Sequence, residues 1–347
     1  MIASFLAGGA RLTPARLTAV LAGCLGVCAL VALFSPLVGA GLPGQGVEVM
    51  SPSAIWSGGG DSTIYWDIRL PRTLAALLCG AALAGAGCAF QAVLRNPLAE
   101  PFTLGVSSGA SLAAVLAIRL GVVSVLGTAG VGAAAVMGAV VAVVIVWRLA
   151  RVGDALPPAT LILAGVTVSM FCSAASLAVQ FTASFADVSR MLRWMMGGLE
   201  WTTYATVLRA VPAIAAGAAT LILLGRALNA MAAGPEAAAS VGVDPARTQT
   251  LAFGAASLLV GASIAVAGPI GFVGLIVPHA LRALIGPDHR ALTPAAMLVG
   301  AAMVAACDTL ARMLGQWPVG IITALAGGPF FLLLLVRGKR GADLWRS

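Results

Sequence analysis

Residues able to do acid–base or electrostatic chemistry are scarce in this chain, and most of them stand in apolar surroundings. Glu100 lies beside a break bracketed by prolines, and Asp308 lies within a long apolar run. A proton- or sodium-coupled carrier usually displays ionisable residues at membrane depth, so this sparse set argues against ion coupling. Asp308 and Arg312 are four residues apart, which permits a structural ion pair on one face of a helix. The spacing favours this structural interpretation of Asp308; a role in ion coupling is the alternative.

Motifs for catalysis or nucleotide binding are absent from the sequence. The only lysine is Lys339, and no G-x-x-x-x-G-K-[ST] surrounds it, so the chain cannot cradle a nucleotide in a P-loop. The motifs H-E-x-x-H and G-x-S-x-G are also missing. We therefore expect no catalytic residue and no cofactor on this chain. If ATP drives its activity, ATP and Mg²⁺ must bind to a partner subunit.

Metal-ligating residues are too dispersed for a site. His279 and His289, the only histidines, are ten positions apart and cannot share a helical turn as ligands. All six cysteines fall inside apolar runs, without a C-x-x-C, and we interpret them as small buried hydrophobes without disulfides. They are Cys24, Cys28, Cys79, Cys88, Cys172 and Cys307. The sequence predicts no metal site.

The composition defines the scaffold that holds these residues. Of the 347 residues, 60% are hydrophobic and only 9% are charged, and the mean hydropathy is +1.03. Soluble domains have about a quarter of their residues charged, so the chain is predicted to be an all-α polytopic membrane protein in the lipid bilayer. Its net charge of +8 comes from arginines scattered between apolar runs. That pattern indicates membrane topology, and we expect no nucleic-acid partner.

Ten apolar stretches predict ten transmembrane helices in a single domain covering residues 1–347, with both termini in the cytoplasm. The first stretch could also be a cleaved signal peptide, but the many spans behind it favour a first transmembrane helix. The polar stretch 39–67 is predicted to be an external loop, and residues 187–201 a short interfacial helix. The spans are about 17–38, 70–94, 103–120, 124–149, 159–181, 204–224, 248–267, 270–284, 292–313 and 319–336.

The distribution of basic residues supports this orientation. The topology places thirteen Lys and Arg residues on the cytoplasmic side and seven on the outer side, which agrees with the positive-inside rule. Seven arginines still exceed what an outer face needs, and they cluster near helix ends. We therefore expect the arginines on the outer side to have a functional role.

The stretch from Gly268 to His279 interrupts an otherwise apolar span. Gly268-Pro269 opposes a continuous helix, because proline lacks an N–H and restricts the residue before it. Broken backbone at membrane depth is tolerated only inside protein or beside a water-filled cavity. We interpret the stretch as the end of one helix and the start of another; the alternative is a single kinked helix.

The loop 226–247 connects two spans on the predicted cytoplasmic side. Gly234-Pro235-Glu236 predicts the start of a short helix, Gly242 its end, and Asp244-Pro245 the start of the next element. A short cytoplasmic helix between two spans is suited to docking into a partner protein, although an ordinary connection fits equally well.

Several stretches together resemble the permease subunits of ABC importers for iron chelates (siderophores, haem) and cobalamin. They occur in the order typical of that family and cover most of the chain. The stretches are Arg69–Leu74, Arg95–Pro101, Leu104–Gly109, Gly268–His279, Gly286–Arg290 and Pro318–Leu325. Their motif residues include Asn96, Pro97, Glu100, Gly268, Pro269, Gly271, Gly274, Pro278 and His279.

The resemblance implies a type II ABC importer permease fold in the bacterial inner membrane. It implies a homodimer with the translocation path on its two-fold axis, two cytoplasmic P-loop ATPase subunits and a periplasmic substrate-binding protein. A ferric siderophore is the leading expectation for the substrate, followed by haem or cobalamin. A stand-alone ion-coupled secondary transporter and a membrane scaffold that transports nothing are the alternatives from other classes.

The resemblance also implies roles for three groups of residues. The group expected to couple to the ATPase is Ala233, Gly234, Glu236, Ala237, Ser240 and Gly242, with Pro235 inserted where the family commonly has a Gly-Glu pair. The group expected to pair with carboxylates of the binding protein is Arg69, Arg72 and Arg312, since arginine suits bidentate carboxylate pairing. The group expected to line the path is Val168, Ser169, Cys172 and Ser176.

Overall fold

The computed structural model describes residues 13–40, 47–56, 59–100, 105–153 and 156–340, apart from the side chains of 40, 54 and 334–340. Nearly all of this part is α-helical. The helices are α1 (Pro14–Phe34), α2 (Gly60–Thr63), α3 (Leu70–Val93), α4 (Val106–Arg119), α5 (Val122–Ala150), α6 (Pro158–Phe181), α7 (Phe185–Met195), α8 (Tyr204–Leu223), α9 (Gly225–Ala233), α10 (Pro235–Ser240), α11 (Pro245–Ala267), α12 (Val273–Ile285), α13 (His289–Met313) and α14 (Val319–Arg340).

Every predicted span coincides with a helix of the described chain. Seven helical stretches are long and apolar enough to cross a membrane, with α2 and α3 counted as one. The other three, α4, α12 and α14, are shorter apolar helices. The predicted beginning of the third span, at residue 103, lies outside the described residues. The all-α polytopic fold is therefore confirmed.

The stretch predicted as a polar loop, 39–67, carries more structure than its composition indicates. Two short strands, β1 (Val38–Ala40) and β2 (Val47–Val49), pair in antiparallel register with Val38 opposite Val49. Further along, a π-helical turn, Ile64–Arg69, joins α2 to α3 without a break. Turns of this kind are rare and are often found near functional positions.

Helix α3 forms the centre of the molecule. It packs against α8, α11, α12 and α13, and nearly all of its residues are buried. Its glycines allow the backbones to touch: a Cβ on Gly80 would overlap the carbonyl of Gly300, and one on Gly87 would overlap the carbonyl of Gly274. Small residues at such crossings let the backbones pack closely, and this packing drives helix association in lipid, where the hydrophobic effect does not. This helix therefore lies in the interior of the bundle.

A second group, formed by α4, α5 and α6, packs together and joins the centre mainly through contacts of α5 and α4 with α11. The apolar side chains left exposed lie largely on α1, α5, α6 and α8. In this chain an exposed apolar face is the one available to lipid or to another membrane subunit.

The two ends of the bundle are identified by polar contacts between helices. At one end, Arg72 of α3 meets Asp308 of α13, and we call this the Arg72 end. At the other, Asn229 of α9 meets Asp288 at the start of α13, and we call this the Asp288 end. Helix α13 runs between the two.

Candidate functional sites

A buried charge cluster occupies the Arg72 end. Asp308 lies between two arginines, with its Oδ1 2.8 Å from Arg72 Nε and its Oδ2 3.1 Å from Arg312 Nε. The side chain of Asp308 is fully buried, and Arg72 and Arg312 are 4% and 2% exposed. The predicted Asp308–Arg312 ion pair is present, but its second partner, Arg72, was missed. Two guanidinium groups against one carboxylate leave an excess of one buried positive charge.

Neutral oxygens complete the shell around Arg312. Its Nη2 donates to the carbonyl and the hydroxyl of Ser35, both at 2.9 Å, and its Nη1 donates to the carbonyl of Val38 at 2.9 Å. Arg72 Nη1 donates to Gln316 Oε1 at 2.7 Å, whereas Arg72 Nη2 is buried without a hydrogen bond. Arg312 Nε also lacks hydrogen-bond alignment despite its distance to Asp308. The cluster thus ties the end of α1 to α3 and α13.

Arg69 lies beside this cluster, beneath the hairpin of β1 and β2. Its Nη2 is 3.2 Å from Glu48 Oε2, and its Nη1 donates to the carbonyl of Leu37 at 3.2 Å. Arg69 is 5% exposed, whereas the side chain of Glu48 is 45% exposed. A Cβ on Gly39 would stand 2.7 Å from Arg69 Nη2, so the first strand crosses directly over the guanidinium.

The structure places the three arginines predicted for docking together at one end, but buries all three. A protein approaching from outside meets the hairpin and Glu48 before it meets Arg69. Docking through Arg69, Arg72 and Arg312 stays a prediction. It would require these arginines to exchange partners within this chain for carboxylates of the binding protein.

The predicted break is present between α11 and α12. Helix α11 ends at Ala267, and Gly268 adopts a φ of +67°, which favours glycine. The N–H of Gly198 donates to the carbonyl of Ala267 at 2.8 Å, and Gly197 lies against Pro269. The continuous kinked helix is thereby ruled out. The broken backbone lies inside protein, as membrane depth requires.

A second non-helical segment, which follows α3 and includes Glu100, meets the break at the start of α12. The carboxylate of Glu100 accepts a hydrogen bond from the backbone N–H of Phe272, which caps α12 with a φ of +69°. Gln91 donates to the carbonyl of Gly274 at 3.1 Å and accepts from Arg282 at 2.9 Å. The carboxylate therefore holds the two segments together, which gives Glu100 a structural role.

The motif residues Asn96, Pro278 and His279 make contacts that stabilise the fold. Asn96 closes its own turn by accepting from the N–H of Leu98 at 2.9 Å. Pro278 is buried within α12, and His279 stacks edge-on against Phe330 with ring centroids 6.4 Å apart. Within the described residues, no three His, Cys, Asp or Glu side chains come close enough to hold a metal ion.

The loop between α8 and α11 forms a surface helix at the Asp288 end. Gly234 separates α9 from α10 with a φ of +122°, and Ala238 is the buried residue of α10. The guanidinium of Arg95 lies beside Gly234, 3.5 Å from where a Cβ would stand. Asp244 caps α11 by accepting from the N–H of Arg247 at 3.1 Å. The predicted short helix and its boundaries are confirmed.

Most of the residues predicted for coupling are exposed on the surface of the protein. Glu236 lies in the first turn of α10, where a carboxylate suits the positive end of the helix dipole. Gly234 is buried, and the others of the group are exposed: Ala233, Glu236, Ala237, Ser240 and Gly242. Val241, which was not singled out, is 69% exposed and adds an apolar contact point.

The residues predicted to line the path lie on the inner face of α6. Val168 and Cys172 are nearly buried, as is Ser176, whose hydroxyl donates to the carbonyl of Cys172 at 2.8 Å. Ser169 is partly exposed, with a buried hydroxyl. Helix α6 packs on α4 and α5, and a role of these four residues in the path stays a prediction. The opposite face, with Leu163 and Phe171, is the exposed one.

An open groove of about 420 Å³ lies where the end of α7, the break and the start of α14 meet. Apolar side chains and small residues line it, and sequence reasoning missed it because they come from three distant stretches. They include Met195, Met196, Pro269, Gly320, Ile321 and Leu325.

The residue that caps α13, Asp288, has a carboxylate with a depressed pKa. Arg290 donates to both oxygens of Asp288, at 3.0 and 2.6 Å, and lowers the pKa of that carboxyl to about 2 despite partial burial. Asn229 also donates to it, at 2.8 Å. The contact with Asn229 fixes the start of α13 against α9.

The depressed pKa of Asp288 predicts a pH-dependent contribution to stability. Since the pKa falls from 3.8 to about 2 on folding, the contribution is complete above about pH 4 and is lost as the pH falls towards 2. The difference in unfolding temperature between the wild-type chain and Asp288→Asn should therefore shrink across that range. Arg290→Ala removes the guanidinium that lowers this pKa most, so the contribution to stability should then be lost at a higher pH. A difference that does not change with pH would contradict this prediction.

Comparison with known proteins agrees with this architecture. The FecCD transport family matches residues 27–337 of the chain. This chain belongs to that family. FecCD proteins are ABC importer permeases, so the chain is a multi-pass membrane permease without catalytic activity, and partner ATPase subunits hydrolyse ATP. Such importers also involve a substrate-binding protein and a dimeric arrangement.

Individual relatives cover most of the chain. A cobalamin import system permease, BtuC of Halobacterium salinarum, is 41% identical over 303 residues, covering 86% of this chain and 81% of its own length. A vitamin B12 import system permease, BtuC of Escherichia coli, is 36% identical over 323 residues, with 91% and 95% covered. A solved metal-chelate type ABC transporter in an inward-facing conformation superposes with a TM-score of 0.80 at 28% identity, covering 92% of this chain and 99% of that one.

Proposed function

We propose that this chain is the permease subunit of an ATP-driven importer of cobalamin. The observation that carries the proposal is its 41% identity over 303 residues to a permease named for cobalamin import. The identity of 36% to a vitamin B12 permease, over nearly all of both chains, supports the same substrate. The substrate expected first from the sequence, a ferric siderophore, thus gives way to its alternative.

A ferric siderophore or another metal chelate is the second candidate. It is favoured by the superposition on a metal-chelate type transporter, whose identity to this chain is lower, at 28%. The described side chains offer no cluster that would ligate the metal of such a chelate directly. A chelate would therefore have to be recognised by its organic shell.

The proposed assembly is a homodimer in the bacterial inner membrane with both termini in the cytoplasm. In this arrangement the Asp288 end faces two P-loop ATPase subunits and the Arg72 end faces a periplasmic binding protein. Helix α10 has the exposure and the acidic first turn expected of an ATPase contact. The exposed face of α6 and the groove beside Met196 are the proposed lining of the path.

Docking of the binding protein is proposed to begin at Arg69. Of the three buried arginines, Arg69 has the carboxylate partner most open to solvent, since Glu48 is nearly half exposed and Asp308 is fully buried. A carboxylate from another protein can compete for a partly exposed ion pair more readily than for the dry pair of Arg72 and Asp308. Glu48 would then be released and the hairpin freed.

The proposal is tested by uptake in proteoliposomes that contain the permease, its ATPase and its binding protein. We expect saturable cobalamin uptake that requires ATP, with ferric siderophore and haem neither transported nor competing. Uptake of the siderophore without uptake of cobalamin would contradict the substrate. Uptake by the permease alone, without ATP, would instead support the secondary transporter. Proteoliposomes loaded with ADP are the matched control.

A further inference from the structure

A side-chain joint connects the loop at the Asp288 end with the long helix α13. Asn229 uses both ends of its amide: its Nδ2 donates to Asp288 Oδ1 at 2.8 Å, and its Oδ1 accepts from the backbone N–H of His289 at 2.7 Å. The same carboxylate caps α13 by accepting from the N–H of Arg290 at 3.0 Å. One amide therefore holds the first turn of α13 by two hydrogen bonds.

The contact around this joint is close. A Cβ on Gly225, the first residue of α9, would stand 3.5 Å from the backbone of His289 and Arg290. On the buried side of α9, Leu228 and Met231 are almost completely enclosed. Helix α9 is thus packed into the bundle along one side and pinned to α13 along another. It cannot move without displacing the start of α13 or breaking the joint.

The exposed helix α10 is attached directly to α9. Only Gly234 separates them, and hydrogen bonds continue across it: Gly234 donates to the carbonyl of Met231 at 3.1 Å, and Ala238 donates to that of Gly234 at 2.9 Å. At its other end, α10 is held by a bond from the N–H of Val243 to the carbonyl of Ala238 at 3.0 Å. A force on α10 therefore passes into α9 and α11.

Helix α13 connects this joint with the opposite end of the molecule. It contains 25 residues, which at about 1.5 Å per residue makes a rod of roughly 37 Å. Asp308 and Arg312, near its far end, belong to the buried charge cluster. The joint at Asn229 is thus the place where the surface loop contacts the helix that carries that cluster.

We propose that Asn229 is a positioning residue that transmits displacement of α10 to α13, and so couples ATP hydrolysis to movement at the Arg72 end. The inference rests on the proposed function, because it takes α10 as the contact with the ATPase. The nearby Arg290–Asp288 ion pair is a poor carrier by comparison. Both of its partners belong to the start of α13, so this pair does not join α9 to that helix.

An exchange of side chains tests the joint in the complete complex. Asn229→Asp places two carboxylates against each other, and Asp288→Asn removes the charge that the amide pairs with. The double variant restores one amide and one carboxylate in exchanged positions: the amide at position 288 then donates to the carboxylate at position 229, which still accepts from the N–H of His289. Arg290→Ala is the matched control, since it alters the same turn but leaves Asn229 in place. Uptake and ATP hydrolysis are measured together in proteoliposomes.

We expect Asn229→Asp to lower the amount of substrate moved per ATP by about tenfold or more, the scale of a lost hydrogen bond to a charged group. Hydrolysis stimulated by the binding protein should continue. The double variant should return the ratio to within about twofold of wild type, and Arg290→Ala should leave it unchanged. A role limited to stability would lower both activities together and leave their ratio constant.

Two results would overturn the inference: an unchanged ratio in Asn229→Asp, or a double variant that folds but is no better coupled than the single ones. If Asn229→Asp does not assemble, Asn229→Ser removes the bonds without adding charge, and its ratio decides in the same way. Failure of the proposed function is distinct, because the wild-type complex would then show no ATP-dependent uptake of cobalamin.

Discussion

Replacing Asp308 with alanine should lower the free energy of unfolding by about 3–5 kcal/mol, among the largest effects available to one substitution in this chain. The change removes the one carboxylate between Arg72 and Arg312 and leaves two dry guanidinium groups facing each other. Thermal unfolding of the purified permease in detergent measures the loss. Asp187→Ala is the matched control, because that carboxylate lies at the surface, where it accepts from the exposed hydroxyl of Ser184 at 2.8 Å and pairs loosely with exposed Arg190 at 3.7 Å. Its cost should be within about 1 kcal/mol.

A triple variant separates stability from transport at the same cluster. Replacing Asp308, Arg72 and Arg312 together with leucine should recover most of the stability, since apolar residues of similar volume often replace a buried ionic cluster without loss. If the arginines also serve docking, this variant should fold and yet fail to take up substrate. Equal unfolding temperatures for Asp308→Ala and Asp187→Ala would contradict the stabilising role of Asp308.

Adding a single methyl group to α3 should also be severe. Gly87→Ala would force a Cβ into the carbonyl of Gly274, where the neighbour is backbone and cannot rotate away. Overpacking of this kind costs about 1–3 kcal/mol, occasionally more, and it should separate α3 from the start of α12. We expect a lower unfolding temperature and a loss of ATP-dependent uptake.

The matched control for Gly87 lies on α11. A Cβ on Gly254 would meet nothing within 4 Å, so Gly254→Ala should be neutral or raise stability by about 0.5–1 kcal/mol through its higher helix propensity. Opposite signs for the two substitutions are the expected result. A stable and active Gly87→Ala variant would show that α3 and α12 can part without consequence.

Local features of this fold were predictable because they depend on backbone chemistry. Gly268-Pro269 had to end a helix, since a proline cannot continue the hydrogen bonds. Asp244 before Pro245 had to start one, since a carboxylate there caps the first turn. The same reasoning located α10. These signals act within a few residues, so one sequence contains them in full.

Contacts across the bundle were not predictable in the same way. Arg72 and Asp308 are 236 positions apart, and no local spacing brings them together. Which face of α6 packs inside the protein was also not predictable, because membrane helices are apolar towards lipid and towards protein alike. Val168 and Phe171 are both apolar, and only packing distinguishes the buried residue from the exposed one.

The excess positive charge at the Arg72 end also has an electrical consequence. A unit charge that crosses the whole membrane exchanges about 2.3 kcal/mol with each 100 mV of potential. The cluster sits at one end of α13, so a shift of a few ångströms across a core of roughly 30 Å would sample only about a tenth of that field. The resulting coupling, roughly 0.2 kcal/mol per 100 mV, is smaller than thermal energy. Movement of this helix should therefore be almost insensitive to voltage, as suits a transporter driven from its nucleotide-binding partners.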